Sequence, residues 1–126
     1  MSGSNYAIMD SGTVTVGGNL IATTNANNGV INLGDLAVDG TMALTTDNNG
    51  AATVVNDAGI NFANSTVRGA LTATVTAGDI IDTGVLTITG ASTFTVADGE
   101  NITLGSDNTF SSTVTFASGG TIASVE

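Results

Sequence analysis

Apolar and polar residues alternate along this chain in short runs that end at glycine. Thr13-Val14-Thr15-Val16 stops at Gly17-Gly18, and Leu86-Thr87-Ile88-Thr89 stops at Gly90. Thr93-Phe94-Thr95-Val96 ends near Asp98-Gly99, and Thr113-Val114-Thr115-Phe116 runs towards Gly119-Gly120. Successive side chains of a strand point to opposite faces, so each run predicts a short strand with one apolar face and one threonine face. No segment carries a helical stripe, and β-branched Thr and Val disfavour helix further.

The strands recur at a longer period. Boundaries at Gly12, Gly34, Gly59, Gly84 and about Asn108 give units of 22 to 25 residues, within the range of solenoid repeats. Each unit holds three strands separated by bends, and Asn28-Gly29, Asp39-Gly40, Asn49-Gly50 and Asp98-Gly99 have the chemistry of tight corners. The expectation is an all-β fold: a parallel β-helix (β-solenoid) of three strands per coil and about five coils. At about 4.8 Å per coil that makes a rod on the order of 24 Å long. The solenoid spans residues 12–126, with residues 1–11 as an N-terminal lead-in or tag. Its inward rows are Val14, Leu36, Ile60 and Ile88 on one face; Leu44, Leu71, Val75, Phe94 and Val96 on a second; and Ile31, Leu33, Val54, Ile102 and Leu104 on the third. A β-sandwich of short hairpins is the alternative, because Asn-Gly is also a hairpin signal. The near-constant unit length favours the solenoid.

Composition sharpens this. Hydrophobic residues make up 41% of the 126 residues but aromatics only 4%, as four Phe and one Tyr. Such a core is built from small apolar side chains, which suits a thin, repetitive architecture. The net charge is −10 and Arg68 is the sole basic side chain. Nucleic-acid binding relies on Lys and Arg displacing counterions, so that partner is excluded, and anionic membrane surfaces are disfavoured. The acidity reads as a solubility device. No apolar run approaches the roughly 18 residues of a membrane span. Met1-Ser-Gly-Ser has neither the basic nor the apolar region of a signal peptide.

Candidate chemistry is sparse. Without His, Cys or Lys, the usual nucleophile–base pairs are not available, and the chain is expected not to be an enzyme and to carry no cofactor or metal. The carboxylate pairs Asp79/Asp82 and Asp98/Glu100 sit at expected corners, where acids form turns. The oxygen-rich loops Asp47-Asn48-Asn49-Gly50 and Asp98-Gly99-Glu100-Asn101 are the places to consider calcium, but neither matches a known calcium-loop pattern. Asn64-Ser65-Thr66 and Asn101-Ile102-Thr103 fit the glycosylation pattern, as a Thr- and Asn-rich chain does by chance. Arg68 is expected near Asp79 or Asp82 if coils stack. The pairs Thr13/Thr15, Thr72/Thr74, Thr87/Thr89, Thr93/Thr95 and Thr113/Thr115 raise an ice-binding reading. In a constant-period alignment they spread over at least two faces, and Ala37 with Asp39 interrupts one row.

The second half resembles the repeats of filamentous haemagglutinin-type exoproteins, the long bacterial adhesins exported by two-partner secretion. The resemblance rests on Gly69-Ala-Leu-Thr-Ala-Thr-Val-Thr-Ala-Gly-Asp-Ile-Ile-Asp-Thr-Gly-Val-Leu-Thr-Ile-Thr-Gly-Ala-Ser-Thr-Phe-Thr-Val and continues through Asn101-Ile-Thr-Leu-Gly-Ser-Asp-Asn-Thr-Phe. A looser match begins at Asn19 and at Gly34. The resemblance implies a right-handed β-helix in an extracellular or cell-surface shaft, with adhesion or display as its role and a host or glycan receptor as partner. It brings no catalytic residues.

A solenoid's first and last coils have open edges that can pair with another chain. Here the candidate edges are Thr13, Val14, Thr15 and Val16 at one end and Thr121, Ile122, Ala123, Ser124 and Val125 at the other. End-to-end pairing of copies through them would make the chain a self-assembling filament subunit, a second function beside the adhesive shaft.

Overall fold

The computed structural model describes residues 7–24 and 27–126. The alternating runs form short strands, and every ladder between them is parallel. Coil one contains β1 (Ala7–Met9), β2 (Val14–Val16) and β3 (Leu20–Thr23), and coil two contains β4 (Val30–Val38) and β5 (Thr41–Thr45). Coil three has β6 (Ala52–Asn56), β7 (Ile60–Phe62) and β8 (Ser65–Val67), and coil four has β9 (Leu71–Val75), β10 (Ile80–Asp82) and β11 (Leu86–Ile88). Coil five has β12 (Ser92–Val96), β13 (Asn101–Thr103) and β14 (Thr109–Phe110), and the last turn has β15 (Val114–Ser118) and β16 (Ser124–Val125).

The first side of the solenoid is the sheet β1-β4-β6-β9-β12-β15, with β2 also on β4. The second side is β7-β10-β13-β16 and the third is β8-β11-β14. β5 joins these two sides, because Thr41 and Met42 pair with β7 while Thr45 pairs with β8. The corner between them sharpens from coil three onward, where Ala63 and Asn64 separate β7 from β8.

The stack has about six turns rather than the expected five, because the coils are shorter than the glycine spacing suggests. On the first side Ala7 pairs with Val30, Ile31 with Ala52, Ala52 with Leu71, Leu71 with Ser92 and Ser92 with Val114, so the step varies between 19 and 23 residues. A register shift between Leu33 and Leu36 absorbs part of the change. Of the expected lead-in, residues 1–6 lie outside the described residues. Ala7–Met9 belongs to the first coil, where it pairs with Val30–Asn32.

The expected inward residues do turn inward. Leu36, Ile60, Ile88, Leu44, Leu71, Val75, Phe94, Val96, Ile31, Leu33, Val54 and Ile102 are buried, and Val14 and Leu104 pack against them half-buried. Their division among faces is corrected. Leu36 lies on the first side, Ile60 on the second and Ile88 on the third, so they do not form one row. Leu44 is likewise separated from Leu71 and Phe94, and Ile102 from Ile31 and Val54. A constant-period alignment slips by a few residues per coil when coil length varies, which moves residues across corners while preserving the in–out alternation. The four phenylalanines, sparse in sequence, gather in space. Phe94 makes edge-to-face contacts with Phe62 and Phe110 and stacks on Phe116, at centroid distances of 6.0 to 6.3 Å.

Candidate functional site

Where a coil turns, the strand ladder is interrupted and its N–H groups need other acceptors. Asp and Asn side chains at the corners, and Asp10 in the gap between β1 and β2, supply them from the neighbouring coil. Asp10 accepts from the Asp35 N–H at 2.7 Å, Asn19 from Thr41 at 2.9 Å, Asn28 from Asn49 at 3.0 Å and Asn64 from Val85 at 2.8 Å. In the same way Asp79 accepts from Asn101, Asp82 from Ser106 and Asp98 from Thr121. Three of the four acids in the candidate carboxylate pairs are thus engaged as staples between coils. Asn101 also donates to Asp79 and accepts from Ser124 Oγ, so its amide is engaged as well.

The Asp47–Gly50 loop is a closed turn. Gly50 N donates to Asp47 O, Asn48 N to Asp47 Oδ1, and Thr46 Oγ1 to Gly50 O. Asn48 and its counterpart Asn28 one coil earlier both have positive φ, a conformation Asn tolerates better than most residues. Among the described residues no three acidic, His or Cys side chains cluster as a metal site.

Arg68 does not approach Asp79 or Asp82. Those aspartates lie along the second side and bind Asn101, Ser106 and Asn108. Arg68 follows β8 at the corner leading back to the first side. There its N–H donates to Thr46 Oγ1, and it borders a shallow groove of about 310 Å³ with Thr23, Thr45, Asp47 and Thr66.

The two candidate edges lie at opposite ends of the strand order. Val14–Val16 pairs only with Leu36–Val38, and Ser124–Val125 only with Asn101–Ile102. Thr13 precedes its strand and donates to Asp35 Oδ2. Thr121, Ile122 and Ala123 are not in strand conformation, although Gly99 N donates to Thr121 O and Ala123 N to Glu100 O. The sequence reading missed further single-partner strands: β1 and β3 at the first end, β14 and β15 at the last. The alternation of Thr113 to Phe116 was the available signal for β15. At that end the inward row is uncovered. Phe116 is 39% exposed and Val125 45%, whereas Phe94 and Ile102, their partners one coil earlier, are fully buried.

The outward side of the first sheet is organised in columns. Thr53, Thr72, Thr93 and Thr115 are in register across four coils, and beside them run Val55, Thr74, Thr95 and Ala117. The pairs Thr72/Thr74 and Thr93/Thr95 therefore share one face. Thr15 stacks on Ala37, as the interrupted row implied, and Thr87 belongs to a third-side column with Thr66 and Thr109.

A family model described as repeats of unknown function (DUF5649) matches residues 49–117, from the corner ending coil two into β15. No curated protein and no solved structure matches the chain.

Proposed function

The chain belongs to the DUF5649 family of repeats, and from that premise we propose that it is a structural and adhesive segment of a bacterial surface or secreted protein, forming part of a β-helical shaft. The observation that carries this reading is the coil-to-coil register. Six turns stack through parallel ladders, and side-chain staples hold their corners, so the architecture extends by repetition without altering its core. About six coils at about 4.8 Å give a rod of roughly 29 Å, and repetition is how a solenoid gains length. The resemblance to filamentous haemagglutinin-type repeats supports the same role, with a host or glycan receptor on the outward faces. Immunolabelling of intact source cells tests it. Labelling without permeabilisation is expected, and labelling that appears only after permeabilisation would overturn the proposal.

A second reading is favoured by the exposed inward residues Phe116 and Val125. They offer an apolar end layer beside strands with one free edge, which suits stacking of a second copy end to end. Electron microscopy across a concentration series separates the readings. Filaments support self-assembly, and monodisperse short rods at every concentration refute it.

A further inference from the structure

The geometry points to an ice-binding face on the first side of the solenoid. Its ligand is crystalline water, and its binding groups are the threonines of β6, β9, β12 and β15. This goes beyond the shaft reading and does not depend on what covers either end.

The argument starts from register. Thr53, Thr72, Thr93 and Thr115 form one column, and Thr74 and Thr95 form the centre of the next, flanked by Val55 and Ala117. Parallel ladders without a register shift across these four strands hold the side chains on a grid of about 4.8 Å between coils and about 6.6 Å along each strand. Every member of the grid is neutral. The chain's eleven acids are elsewhere, with Asp79, Asp82 and Asp98 at corners, so no ionised group on this grid imposes its own hydration shell.

The hydroxyls of the grid are also unspent. Elsewhere the fold uses threonine hydroxyls as donors: Thr24 to Gly29 O, Thr46 to Gly50 O, Thr76 to Asp57 O and Thr83 to Asn61 Oδ1. Among the described residues none of the six grid hydroxyls donates to a protein group, so each must be satisfied by water. The threonine methyl beside each hydroxyl offers no hydrogen bond, so water must bridge over it from one hydroxyl to the next. Because threonine is stiff at χ1 and the sheet beneath is fixed, the bridging waters occupy repeating positions at little further entropic cost. A neutral, rigid, two-dimensional lattice of hydroxyls and methyls is complementary to the one ligand that presents a lattice of water.

The test is thermal hysteresis and ice-crystal shape with the full chain, compared with Thr74→Lys, Thr93→Lys and, on the third side, Thr87→Lys. All three positions point outward, and circular dichroism confirms that each variant keeps its fold. The expected result is a hysteresis gap with faceted crystals for the unmodified chain and for T87K, and loss to the buffer level for T74K and T93K. The proposal is overturned if the unmodified chain shows no gap up to its solubility limit. It is equally overturned if T87K abolishes the effect or if T74K and T93K leave it intact.

Discussion

Asn56 is the buried polar residue on which the solenoid's shortest coil depends, and replacing it with leucine isolates that dependence. Its side chain is 1% exposed at the end of β6, in an inward row otherwise held by Leu36, Val75 and Val96. The amide oxygen accepts from Val38 N–H at 2.9 Å, and the amide nitrogen donates to Val38 O at 3.1 Å and to Gly59 O at 2.9 Å. The side chain thus acts as a surrogate peptide group, completing the pairing of β4 beyond the point where the shorter β6 ends. Leucine at this position leaves Val38, itself buried, with an N–H and a C=O to satisfy. Each unpaired buried group costs about 1–3 kcal/mol, while the added apolar side chain returns about 1.5–3 kcal/mol if it fits. Counting Gly59 as partly relieved by water, the net expectation is a loss of about 2–3 kcal/mol.

Chemical denaturation followed by circular dichroism reads this loss, and hydrogen exchange locates it, with the Val38 amide expected to lose protection. Stability changed by less than about 0.5 kcal/mol, the range of ordinary surface substitutions, with Val38 still protected, would refute the reasoning. Asn56→Asp adds a check of sign. The carboxylate would be buried facing two carbonyl oxygens, which raises its folded-state pKa above the unfolded value of about 3.9. The folded state then binds the extra proton, so the variant loses stability as pH rises from the unfolded towards the folded pKa and regains it on acidification.

Gly69→Ala is expected to destabilise by about 1–3 kcal/mol, the usual cost of overpacking, because its Cβ would lie 2.5 Å from Asn49 O and 2.7 Å from Gly50 O. Gly34→Ala, with nothing within 4 Å, is the comparison, and a similar loss there in thermal melts would sink the close-approach argument. Ser92→Ala removes a buried hydroxyl without a hydrogen-bond partner and is expected to leave stability unchanged or raise it by up to about 1 kcal/mol; a clear loss in denaturant midpoint would contradict it. Phe94→Ala deletes the ring at the centre of the aromatic cluster and is expected to cost about 3–5 kcal/mol, read by the same titration.

The fold class was legible because period-two alternation depends only on neighbouring residues, and every long run of it became strand. Coil length was not legible, because Gly34, which lies inside β4 with nothing within 4 Å of a Cβ, looks no different in sequence from Gly50 and Gly69, which stack at a true corner. Corner acids were recognised as turn formers, but their bonds run to the next coil, as from Asp79 to Asn101, 22 residues on. That pairing becomes visible only when register is known. The same dependence hid the threonine face, since a slip of a few residues per coil scatters Thr53, Thr72, Thr93 and Thr115 across sides.

The end layers and the threonine face make separable demands on the same coils. End-to-end stacking would use backbone edges and the inward residues Phe116 and Val125, whereas the ice-binding face uses the outward side chains of β6, β9, β12 and β15 and no edge hydrogen bond. Val125→Lys places a charge in the apolar end layer, where a stacked second copy would bury it. A buried unpaired charge is strongly unfavourable, so any filaments seen by electron microscopy should disappear. Val125 lies on the second side, in register with Ile102, away from the first-side grid, so thermal hysteresis should be unchanged. Filaments that survive Val125→Lys would show that the ends are not the contact. Hysteresis that falls with filament content would contradict an ice-binding face that acts independently of the ends.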